Sequence, residues 1–146
     1  MLTISLLTGL LYSMQPDSPL PADSDSRWLV FEGNADTAPG NGRRVVLVSG
    51  DEEYRSEEGL PMLGRLLAGH GYEAVVLFSQ DPETGEIDPE NLSHIPGLHL
   101  IDDADVLVPQ LRFRELPDED MKHIVDHVDA GKPTVGIRTS THAFFY

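Results

Sequence analysis

An α/β fold with a parallel sheet is the architecture this sequence predicts, and three observations predict it. Apolar runs rich in β-branched residues recur at RRVVLVSG (43–50), YEAVVLF (72–78), ADVLVPQL (104–111) and PTVGIRT (133–139). Such runs, apolar at every position and not only at alternate ones, suit strands buried on both faces. Amphipathic stretches of helical period lie between the first and second runs and between the third and fourth. Strand and helix signals that alternate in this way imply parallel strands joined by right-handed crossovers.

The elements follow in order along the chain. Residues 1–14, MLTISLLTGLLYSM, are apolar but too short to span a bilayer, and the first basic residue is Arg27. The run therefore has a signal peptide's core without its basic start, and residues 1–26 are read either as an export signal or as an unstructured beginning. Export and retention in the cytoplasm both stand. Residues 27–42 carry Pro, Gly, Asp and Asn around the short apolar run Trp28 to Phe31, which suits an extended leader. The α/β domain proper then occupies 43–146.

In the first helical stretch Ser56 is placed to cap, Glu57 and Glu58 to meet the positive end of the dipole, and Leu60, Leu63, Leu66 and Leu67 to form the apolar face. Pro61 blurs its start. Residues 79–97 hold two Asp-Pro pairs and the turn-like tip TGE (84–86), so they read as loop. Pro109 falls near the end of the third strand, where a missing donor is best tolerated. The second helix, within 116–132, opens on Pro117 with acids in its first turn and closes at Gly131.

Composition removes several functions. With 146 residues and a formal net charge of -15, the chain is one domain ill suited to nucleic acid or an anionic membrane, which are bound by neutralising phosphates. The absence of cysteine removes disulfides, thiolate metal sites and any cysteine nucleophile together. Neither GxxxxGK[ST] nor GxGxxG occurs, so no nucleotide cofactor is implied. His123 and His127 have metal-ligand spacing, but HIVDH lacks the glutamate of HExxH. They read as a half-solvated helix face, the acids 102–105 as a solvated cluster, and no metal is expected.

Ligands of open parallel sheets bind beyond the carboxyl ends of the strands. Four of the ten basic residues fall on that edge here: Arg55, Arg112, Arg114 and Arg138. Their planar forks suit carboxylate, phosphate or vicinal hydroxyls. Glu53 and Ser140 stand beside them as further binding groups, and Tyr54 and His142 are the edge residues able to transfer protons. The competing reading is that the arginines pair with Asp51, Glu52, Glu53 and Glu115 on the same edge.

The stretches SGDEEYRSEE (49–58), RFRELPDEDMKHIVDHVDAGKP (112–133) and GIRTSTHAF (136–144) resemble those of ThuA-like (trehalose utilisation) proteins, within the class I glutamine-amidotransferase-like superfamily. The resemblance implies a three-layer, flavodoxin-like parallel sheet, here its N-terminal half and so truncated, with a role in trehalose or other disaccharide metabolism. In the amidotransferases proper a strand such as KPVLGI leads into a nucleophilic cysteine; here KPTVGI leads into Arg138, so no glutaminase activity is expected. Many ThuA-like members keep a histidine near that elbow, whereas the histidine of this chain falls at His142.

The function expected is thus binding of, or action on, a carbohydrate. The alternative is a non-catalytic interaction or assembly module, in a homo-oligomer or against a partner domain, or an inactive fragment with an exposed sheet edge.

Overall fold

The computed structural model describes residues 26–145, so the apolar run at 1–14 and nearly all of the signal-like stretch lie outside the described residues. The architecture is a small α/β unit: a four-stranded mixed sheet and two α-helices. In chain order the elements are β1 (Leu29–Phe31), β2 (Arg44–Gly50), α1 (Ser56–Gly69), β3 (Glu73–Phe78), β4 (Val106–Leu111) and α2 (Asp118–Asp129). Two 3₁₀ turns, Leu98–Ile101 and Ser140–His142, complete them.

The sheet order is β1-β3-β2-β4. β2 runs parallel to both neighbours, with Leu47 opposite Val76 on one side and Val108 on the other. Its central position explains its composition, since Val45, Val46, Leu47 and Val48 are all buried whichever face they point to. Val45 and Leu47 pack with Ala74, Val76, Phe78 and Leu60 of α1. Val46 and Val48 pack with Leu77, Leu107, Ile101 and Ile124 of α2 on the opposite face. Truncating one such buried leucine typically costs about 2–5 kcal/mol.

The sheet departs from the all-parallel expectation at both edges. At one edge β1, within the segment expected to be an extended leader, pairs antiparallel with β3. A parallel neighbour needs a crossover, usually helical, and residues 32–43 contain no helix. The chain can therefore enter the amino end of β2 only if β1 has already run toward that end.

At the other edge the expected strand 133–139 is not a regular strand. It lies beside β4 and makes Leu107 N–H to Pro133 O (3.0 Å), Val135 N–H to Leu107 O (2.9 Å) and Ile137 N–H to Pro109 O (3.0 Å) bonds. One bridge, Leu107 with Thr134, results. The next rung needs an N–H from Pro109, which proline lacks. Beyond it, Leu111 N–H turns to the Ser140 hydroxyl at 3.3 Å.

The helices differ from expectation in detail. α1 is preceded by Arg55 in a left-handed conformation, and Ser56 is its first residue, fully buried, not its cap. Pro61 lies inside the helix, and Leu66 is exposed while Leu60, Leu63 and Leu67 face the core. α2 begins after Pro117 with Asp118, Glu119 and Asp120 at the positive end of its dipole. Its end is closed as expected, by Gly131 at φ 70° donating to Val128 O. His127 is buried, not half-solvated, and bonds Pro133 O, whereas His123 pairs with Asp102 at 2.8 Å.

Gly71, between α1 and β3, shows how residues 33–42 dock. Its φ is +85°, and a Cβ there would stand 2.0 Å from Thr37 O. Gly40 N–H to His70 O and Gly42 N–H to Gly71 O bonds hold the two backbones at that distance. Gly71→Ala is expected to destabilise the fold by about 1–3 kcal/mol, through the unfavourable φ and the clash, measured as a lower urea midpoint at unchanged m-value.

Candidate functional site

β2 ends at Gly50, and the two residues after it organise the carboxyl rim. Asp51 is fully buried. Its Oδ1 accepts the backbone N–H groups of Glu53 (3.0 Å) and Tyr54 (3.3 Å), the pattern by which an aspartate closes a local turn. Its Oδ2 accepts the Thr139 hydroxyl at 2.7 Å and, at 3.5 Å, the Gln110 amide. Asp51 N–H in turn donates to Ser56 Oγ, which shares a hydroxyl bond with Ser49. A buried carboxylate is tolerated only when so satisfied, and here the donors come from three separate segments.

Glu52 holds the second network. One carboxylate oxygen accepts from Arg112, the other from Arg114 at 3.0 Å. Arg114 has no exposed surface, and its guanidinium donates to Arg112 O, Ser79 Oγ, Pro89 O, Asn91 O and Glu52. It pins the 79–97 loop onto the sheet. Burial lowers the Arg114 pKa, opposed chiefly by the charges of Glu52 and Asp51. Arg112, partly exposed, has its pKa raised, chiefly by the Glu52 hydrogen bond.

The arginines expected to form one binding rim therefore have different fates. Arg114 is a fully buried residue bonded at all three guanidinium nitrogens, out of a ligand's reach. Arg112 is occupied by Glu52, lies near Glu53 Oε2 (3.3 Å) and stacks over Phe113 at 4.6 Å. Arg55, the exposed residue just before α1, pairs with Glu58 in the first turn of that helix. Pairing with neighbouring acids thus accounts for three of the four.

Arg138 differs. Its guanidinium lies 4.6 Å from the centre of the Tyr54 ring and donates to the Tyr54 hydroxyl at 2.8 Å, and it makes no ion pair among the described residues. Both side chains are exposed, Tyr54 to 40%.

Ser140 is occupied, donating to Pro109 O at 2.8 Å and accepting Leu111 N–H. His142 is exposed and packs on Phe113 with ring centres 5.1 Å apart, its Nδ1 3.2 Å from the Thr141 hydroxyl. The structure thus brings Tyr54 to Arg138 and His142 to Phe113. Among the described residues no group of three His, Asp or Glu side chains is arranged to hold a metal.

Three of the rim loops carry a non-glycine residue at positive φ, Arg55 (51°), Phe113 (51°) and Thr139 (82°), and a fourth such residue, Asn41 (51°), lies at the opposite end of β2. For β-branched Thr139 this is a genuine outlier, costing on the order of 1–3 kcal/mol. Its bond to Asp51 opposes that cost. Asp51, expected as a partner for the rim arginines, instead binds its own turn, Gln110 and Thr139, and the sequence assigns Thr139 no role. An aspartate directly after a strand is a turn signal and could have pointed to Asp51, but nothing local marks a threonine for a conformation its side chain disfavours.

No protein-family model, curated protein or solved structure matches this chain.

Stability measurements separate these roles. Arg114→Met leaves Glu52 with one partner and is expected to cost about 3 kcal/mol or more, and Asp51→Ala about 2–3 kcal/mol. Arg138→Ala should stay within about 0.5 kcal/mol of the parent. Urea unfolding of the three variants checks the ranking, and a destabilised Arg138→Ala would contradict it.

Proposed function

We propose that this chain is a ThuA-like domain, with the three-layer, flavodoxin-like sheet of the class I glutamine-amidotransferase-like superfamily, and that it binds a carbohydrate at the carboxyl rim. The observation that carries the reading is the Tyr54–Arg138 pair. An exposed aromatic ring offers a flat apolar surface to the C–H face of a sugar, while the guanidinium fork offers paired donors to vicinal hydroxyls. Arg138 is the rim arginine without a carboxylate partner among the described residues, so its remaining donors are open to a ligand.

The surrounding geometry supports this use of the rim. Three of the four non-glycine residues at positive φ among the described residues lie in loops at this edge, and strain held by compensating bonds is characteristic of sites built for function. Glu53, half exposed beside Arg112, can accept from a sugar hydroxyl, and the Phe113–His142 stack supplies a second ring surface. Tyr54 and His142 act in this reading as contacts and not as a proton-transfer pair, because the Tyr54 hydroxyl accepts from Arg138 and His142 packs on Phe113. Glutaminase chemistry has no place in it, since the sequence holds no cysteine.

Thermal-shift titration with trehalose, related glucosides and their keto forms tests the proposal. A ligand at about 100 times its Kd should add about 2.7 kcal/mol of stability to the parent chain. Arg138→Ala and Tyr54→Ala are expected to remove that gain while unfolding normally without ligand. Stabilisation by none of these sugars, or stabilisation indifferent to both substitutions, sinks the reading.

A further inference from the structure

Arg138 and Tyr54 lie 84 positions apart in the chain, and both side chains are exposed, so burial does not hold them together. A surface arginine gives up rotamer freedom when it settles on one ring, and the contact is favoured where the loops beneath already present the two groups to each other. Asp51 touches both loops. Its Oδ1 accepts Tyr54 N–H at 3.3 Å, and its Oδ2 accepts the hydroxyl of Thr139, the residue after Arg138, at 2.7 Å. Asp51 is fully buried and Thr139 is 6% exposed, so this bond is closed to a ligand and acts by fixing one loop relative to the other.

The backbone around Arg138 shows what a hydroxyl at 139 contributes. Ile137 N–H and the Ser140 hydroxyl both donate to Pro109 O, at 3.0 and 2.8 Å, so Arg138 and Thr139 loop out between two bonds to one carbonyl. Ser140 N–H closes the turn on Ile137 O at 3.0 Å. Thr139, at φ 82° and ψ -24°, has the conformation of the third residue of a type II turn, a place that favours Gly or Asn and suits a β-branched residue poorly. Glycine would fill the turn without strain, but would leave Asp51 Oδ2 with only the Gln110 amide at 3.5 Å. The threonine hydroxyl has one proton, and of the two acceptors in its reach, Asp51 and Arg138 O, the charged one is the stronger.

We propose that Thr139 is a positioning residue for the rim: its hydroxyl, bonded to Asp51, holds the turn so that Arg138 lies on Tyr54. As a source of ligand affinity this role rests on the carbohydrate reading above, whereas the placement of Arg138 does not. With the Asp51 bond removed, the turn stays tied at Ile137 and Ser140, but the peptides between those ties are free to rotate and carry Arg138 off the ring. Affinity then falls by the fraction of chains in which the pair is still assembled.

NOE measurements on the full chain, between the Tyr54 ring and the side-chain protons of Arg138, read the placement without any ligand. The parent should show these cross-peaks, and Thr139→Ser, which keeps the hydroxyl, should retain them. Thr139→Val, close in shape but without the hydroxyl, should lose them. Thr139→Gly should lose them as well, and because glycine suits the turn, that loss does not depend on a strained or poorly folded variant. For any sugar that the parent binds, Thr139→Val and Thr139→Gly should raise Kd about tenfold, as when the pair is assembled in roughly one chain in ten, and Thr139→Ser should leave Kd near the parental value. The proposal is overturned if the parent lacks the cross-peaks, if Thr139→Val or Thr139→Gly keeps them, if Thr139→Ser loses them, or if sugar binding is indifferent to their loss. Should no sugar bind the parent, the carbohydrate reading fails and the cross-peaks still decide the placement.

Discussion

A charge taken out of water must be met by partners, and at the end of β2 two charged networks are buried side by side. Asp51 draws its donors from its own turn, from Gln110 at the end of β4 and from Thr139 beyond the edge segment. Arg114 draws its acceptors from Glu52, from its own turn and from the 79–97 loop. Leaving either group partly unpaired would cost several kcal/mol, a large part of the stability of a domain this size. The convergence of the rim loops is thus the condition on which the central strand can carry these residues at all.

That condition also sorts the rim chemically. Residues drawn into the networks are removed from contact with solvent or ligand, and those left outside keep their donors. Arg114 is the extreme of the first kind and Arg138 of the second, although both are arginines on the same sheet edge. The strained turn at Thr139 belongs with this division. Its hydroxyl reaches inward to Asp51, while the side chain immediately before it lies on the exposed Tyr54 ring.

The core elements were legible in the sequence because their signals are local and redundant. Val45 to Val48 read as a doubly buried strand and are one, and α2 starts and stops close to where Pro117 and Gly131 indicate. The two edges were less legible. β1 has only three residues, too few for a periodic signal, and its direction follows from a connection without a helix. The segment 133–139 has a strand's composition, but its pairing depends on Pro109 in another strand, whose missing N–H interrupts the ladder.

The sequence by itself determined which residue types were present and in what order: no thiol, a large excess of acids, alternating strand and helix periods, and arginines clustered after the strands. These follow from composition and from side-chain periodicity, which need no knowledge of distant neighbours. Only the tertiary structure decided which arginine is enclosed and which is open, which serine is occupied, and which acid holds the loops together. Hydrogen-bond satisfaction of a buried group is settled by partners such as Asp51 and Thr139, 88 positions apart in the chain, and no local pattern records that meeting.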